Sequence, residues 1–141
     1  MSKLYTPRLL ALSAELAKYP LTGSFDRTAQ ARSRTCGSTL EIGVTLNSDG
    51  VVERLGMQVT ACAIGQSSAA VMAANAMGRP AHNFVAARDS IQAWLAGEGG
   101  LPDWPGFDAL EPALPHPGRH GALLLPWTAI VEALSSERHA G

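Results

Sequence analysis

Residues 36–68 read CGSTLEIGVTLNSDGVVERLGMQVTACAIGQSS, and this stretch decides the fold. Leu40, Ile42, Val44 and Leu46 alternate with Glu41, Gly43 and Thr45, the period of a half-buried strand over Thr39–Leu46. Asn47-Ser48-Asp49-Gly50 follows, and Asp and Gly tolerate the positive φ that a hairpin turn demands. Val51, Leu55, Met57 and Val59 alternate again and make the return strand. Beyond Cys62 the chain switches to small residues and Met as far as Met77, with Gly78 suited to the position after a helix end. A helix coated with Ala, Ser and Gly can approach a sheet or another helix closely.

Upstream, Thr6-Pro7 is a helix start, because Thr caps and Pro at the first helical position loses no needed hydrogen bond. Leu9, Leu12, Leu16 and Tyr19 recur at helical spacing up to Pro20. Ser24–Arg34 is polar and weakly alternating, which predicts an exposed edge strand. Downstream, Phe84, Ala87, Ile91, Trp94 and Leu95 mark an amphipathic helix closed by Gly97. Gly99–Gly118 holds five prolines and four glycines and reads as loop, with a turn of helix at Phe107–Leu110. Leu123, Trp127, Ile130, Val131 and Leu134 give a last helical stripe, whose start Pro126 should delay or kink. The pattern predicts an α+β fold: one domain over 1–141, with a small antiparallel three-stranded sheet against four to five helices.

Composition narrows the function without naming it. The 141 residues are 46% apolar and 16% charged, which suits a compact globule. A net charge of −1 and the lack of any basic run argue against a nucleic-acid partner. No segment approaches the ~20 apolar residues of a membrane span, and none near Met1 has the apolar length of a signal peptide. Two cysteines without an export signal predict a reducing, cytoplasmic setting and thiols that are free or metal-bound.

Those cysteines are the first candidates for chemistry. Cys36-Gly37 precedes the hairpin and Cys62 follows it; since a hairpin brings its outer ends together, they should be neighbours despite 25 intervening residues. Cys62 would also lie at the positive end of a helix dipole, which favours an anionic sulfur. Two converging thiolates make half of a soft-metal or cluster site. Spacing alone leaves the commoner alternative open, two ordinary buried thiols.

Arg34-Thr35-Cys36-Gly37-Ser38, the hairpin, and Cys62-Ala63-Ile64-Gly65-Gln66-Ser67-Ser68 together resemble the NifU/IscU-type iron–sulfur scaffold domain. There a Cys-Gly-Asp precedes the hairpin and a second Cys opens a small-residue helix. Tyr5-x-Pro7 resembles that family's first helix start, and the 117–127 stretch resembles the Arg-x-x-Cys-x-x-Leu-x-Trp segment of its SufU-like branch. The resemblance covers residues 4 to 134 and departs at two ligand positions. Ser38 stands where the family has Asp, and Ala122 where it has its third cysteine.

The resemblance implies a scaffold or carrier rather than an enzyme, holding an iron–sulfur cluster transiently, or zinc, with an apo form expected on purification. Its implied partners are a cysteine desulfurase and recipient apo-proteins. Cys36, Cys62 and His120 form the expected metal set, with His120 substituting for the missing cysteine and Arg119 covering an anionic cluster. His116 is a weaker candidate, expected to be solvated like His82 and His139. Trp94, Trp104, Trp127, Met57, Met72 and Met77 read as packing residues. Two alternatives remain: a cluster-incompetent interaction module and a zinc-assisted sulfurtransferase.

Overall fold

The computed structural model describes residues 4–34 and 37–136. Thr6 Oγ1 accepts a hydrogen bond from Leu9 N at 3.1 Å and Pro7 opens the helix, so α1 runs Pro7–Ala14 and continues as a 3-10 turn, Glu15–Lys18. Strands β1 (Arg27–Arg32), β2 (Thr39–Leu46) and β3 (Val52–Thr60) form an antiparallel sheet in the order β1-β2-β3. The turn between β2 and β3 follows from Asn47, whose Oδ1 accepts from Asp49 N at 2.9 Å and Val51 N at 3.2 Å, and from Gly50 at φ 78°. Helices α2 (Ala63–Ala74), α3 (Ala81–Leu95) and α4 (His120–Ser135) follow, with 3-10 turns at Phe107–Ala113 and Pro117–Arg119. The predicted α+β architecture holds.

One face of the sheet carries the core. The cross-strand pairs Ile42–Met57 and Val44–Leu55 are buried against the helices. Helix α2 is buried nearly all round, as its small residues predict, and lies between α1 and α4. Its two buried serines bond across both interfaces. Ser67 Oγ donates to Leu9 O at 2.6 Å, while Ser68 Oγ donates to Leu123 O at 2.6 Å and accepts from Trp127 Nε1 at 2.9 Å. A buried hydroxyl left unbonded would destabilise the interface, so these contacts fix how the helices sit. Trp104 packs edge-on to Trp127 and donates its Nε1–H to Val71 O at 3.0 Å. Outside the core, Arg8 holds Asp108 by two bonds of 2.8 and 3.1 Å and ties α1 to the 3-10 turn at Phe107–Ala113.

Three expectations are corrected. Pro126 does not delay the start of α4, which begins at His120 and runs through it. Its missing N–H leaves only the Ala122 carbonyl without the usual partner, and burial of Leu123, Trp127 and Ile130 outweighs that loss. Met77 is exposed, whereas Met57 and Met72 are in the core. The segment before β1 is not strand until Arg27: Phe25 lies over the face of the sheet opposite the helices, on the paired Gly43 and Gly56. A Cβ on Gly56 would come within 2.6 Å of the Phe25 ring, and the Arg54 guanidinium covers that ring at 4.3 Å. Among the described residues, no helix is long and apolar enough to cross a membrane.

Candidate functional site

Thr39 lies opposite Thr60, so the Ser33–Ser38 loop and the Ala61–Cys62 turn leave the sheet at the same end. The loop closes tightly: Ser33 N donates to Ser38 O at 2.8 Å, Gly37 N to Ser33 O at 3.2 Å, and Gly37 adopts φ 71°. Glycine is needed at 37 because that φ strains any other residue. Cys36 itself lies outside the described residues, and so does its predicted approach to Cys62; His139 lies outside them as well. Ser38, at the position where Asp is expected of the family, is buried with 5% of its surface exposed.

Cys62 is the N-cap of α2, with extended backbone (φ −67°, ψ 173°). Its carbonyl accepts from Gln66 N at 3.0 Å, but its side chain makes no capping bond, and the half-buried thiol is free of any disulfide. Gln66 Nε2 reaches back to Ala61 O at 2.8 Å and fixes the strand-to-helix step. One turn further, a Cβ on Gly65 would come within 2.8 Å of Ala61 Cβ and 3.4 Å of Ala122 Cβ. Glycine there lets the first turn of α4 settle on the first turn of α2. Ala122, the position of the expected third cysteine, therefore sits one helical turn from Cys62 and is fully buried.

The other predicted residues cluster at the start of α4. Arg119 is its N-cap, half-exposed, and its guanidinium has no hydrogen-bond or ion-pair partner among the described residues. His120 Nε2 lies 2.8 Å from Leu114 O. A carbonyl only accepts, so Nε2 carries the proton, and in the neutral ring the lone pair is on Nδ1. Metal-binding histidines are commonly oriented in this way by a backbone carbonyl. His116 is not solvated as expected: its Nε2 is enclosed and has no hydrogen-bond partner among the described residues. His82 is exposed, as expected. No group of three or more His, Cys, Asp and Glu among the described residues is placed to share a metal ion.

In a search of solved structures, the N-terminal region of a nitrogen-fixing NifU-like protein from Brucella abortus matches with 32% identity and a TM-score of 0.82, over 92% of this chain and 91% of that one. The chain belongs to the NifU-like N-terminal domain family. A protein described as an iron–sulfur cluster assembly scaffold for the SUF system of Fervidobacterium islandicum AW-1 shares the fold, with a TM-score of 0.84 at 16% identity over 94% of this chain and 97% of that one. No protein-family model and no curated protein matches the sequence.

Sequence reasoning named candidate site positions but missed the contacts that seat α4 on α2. Gly65 and Ser68, which seat α4 on α2 beside Cys62, read only as small helix-packing residues. The available signal was the Cys-x-x-Gly spacing of Cys62 and Gly65, which leaves one side of the first helical turn bare.

Proposed function

We propose that this NifU-like domain is an iron–sulfur cluster assembly scaffold that holds iron or a cluster transiently through Cys36, Cys62 and His120. The observation that supports the reading is the shared exit of the Ser33–Ser38 loop and of Cys62 from one end of the sheet, in a chain of this family. The uncapped Cys62 thiol and the Nδ1 lone pair of His120 supply one sulfur and one nitrogen donor from described residues. Arg119, with its charge uncompensated among the described residues, would offset the negative charge of a thiolate-bound cluster.

A cluster here is cargo, and the domain acts as a carrier without turning over a substrate of its own. A cysteine desulfurase would supply the sulfur and apo-proteins would receive the product, in the cytoplasm. With a methyl group at 122 and no carboxylate at 38, the ligand set is short, so bound metal exchanges readily and is lost during aerobic purification. An outside ligand completes the coordination.

The test is anaerobic reconstitution with ferrous iron and sulfide, followed by metal and sulfide analysis. Iron and sulfide should be taken up in wild type, lost in Cys36→Ala and Cys62→Ala, and reduced in His120→Ala. Unchanged uptake in His120→Ala would remove that histidine from the site. Zinc alone, surviving chelator, would favour the zinc-assisted sulfurtransferase. Binding of neither would leave a cluster-incompetent interaction module, the reading that Ala122 and Ser38 favour.

A further inference from the structure

The two edges of the sheet are treated differently. On β3, Met57 N donates to Tyr19 O at 2.9 Å, Val52 N to Arg79 O at 3.0 Å, and Gly78 N to Val52 O at 2.8 Å, so flanking segments occupy that edge. On β1, no described strand pairs with the outer side. The register says which groups are open there. Because Met57 N points away from β2, its partner Ile42 directs its main chain toward β1, and Ala29, opposite Ile42, lies in that ladder. By alternation Gln30 and Arg32 turn their N–H and C=O groups to the open edge, and neither group has a partner among the described residues.

Both faces of this edge have room for side chains. On the α4 side a cleft of about 360 Å³ runs beside Ala31 and is lined by Gly121, Leu124, Leu125 and Thr128. On the outer face a second cleft, of about 440 Å³, borders Gln30 and Arg32. Arg32 and Arg34 are exposed at the end nearest the Cys36 loop and make no ion pair with any described residue. Glu132 stands in the α4-side cleft.

We propose that the open edge of β1 docks an extended acidic segment of a partner protein as a fourth strand. Main-chain bonds to Gln30 and Arg32 hold it, alternate apolar side chains enter the cleft between Ala31 and Leu124, and a carboxylate meets Arg32 and Arg34. The segment thereby ends beside the candidate site. This docking is independent of metal, so it stands or fails separately from the cluster reading.

The probe is the peptide acetyl-Val-Glu-Val-Glu-Val-Thr-Val-amide, added to the full chain and followed by amide NMR. Saturable binding should slow exchange of the Gln30 and Arg32 amides. The double variant Arg32→Glu/Arg34→Glu, or Lys in place of Glu in the peptide, should weaken binding at least about tenfold at low salt. Gln30→Pro should abolish binding while the melting temperature stays near that of wild type, because the N–H it removes lies outside the ladder. Should Gln30→Pro not fold, the charge-reversed double variant and the Lys peptide decide alone. No saturable binding, equal binding of the Lys peptide, or binding that leaves the Gln30 and Arg32 amides unprotected overturns the proposal. So does protection of those amides without peptide in a concentration-dependent dimer, which would make a second copy the occupant.

Discussion

Ser68→Ala is the sharpest test of how α4 is held over Cys62. Ser68 is fully buried; its hydroxyl accepts from Trp127 Nε1 at 2.9 Å and donates to Leu123 O at 2.6 Å. Each neutral bond contributes about 1 kcal/mol net, and a buried indole N–H left without an acceptor raises the loss toward about 3 kcal/mol in total. Alanine recovers about 0.5 kcal/mol of helix propensity. The net expectation is a loss of about 2.5 kcal/mol, read as an unchanged slope and a lower midpoint in urea denaturation. The melting temperature should fall by roughly 8 °C for a chain of this size. In a Trp127→Phe background, where the indole donor is already gone, Ser68→Ala should cost about 1 kcal/mol less. A loss below about 0.5 kcal/mol in wild type, or an equal loss in both backgrounds, would refute the hydrogen-bond account.

Gly43→Val should destabilise by about 2–3 kcal/mol in the same assay, because the new side chain runs into Phe25 where that ring lies on the sheet; an effect under about 1 kcal/mol would mean that the 20–26 segment lifts off freely. The hydrogen bond from Arg8 holds the Asp108 carboxyl below its ordinary range. A depressed folded pKa means that this contribution is present above the unfolded pKa of about 3.9 and lost as pH falls through the folded value. Because both groups are exposed, Asp108→Asn should cost less than about 1 kcal/mol at neutral pH and nothing in strong acid, as urea titrations across pH will show. Ser38→Asp/Ala122→Cys should retain more iron or zinc than wild type under chelator challenge, at a stability cost of about 1 kcal/mol because position 122 is already filled; equal retention would show that the site has lost the family's geometry.

Much of this could be read along the chain because it is local. The period-two alternation on both sides of Asn47–Gly50 specifies the β2–β3 hairpin, and Thr6-Pro7 and Gly97 punctuate α1 and α3 through backbone preferences that act within a few residues, whereas α2 ends at Ala74, short of the expected stop at Gly78. The same hairpin pairs 39 with 60, which sends the Ser33–Ser38 loop and Cys62 off the same end of the sheet. Three things were decided only when the segments packed. Phe25 settled on Gly43 and Gly56, the helix ran through Pro126, and the Leu114 carbonyl set the orientation of His120. The partners in each case come from different segments or turns, so no periodicity records them. A glycine pair becomes a platform only when a ring arrives, and a proline inside a helix is tolerated only when burial elsewhere offsets the lost bond.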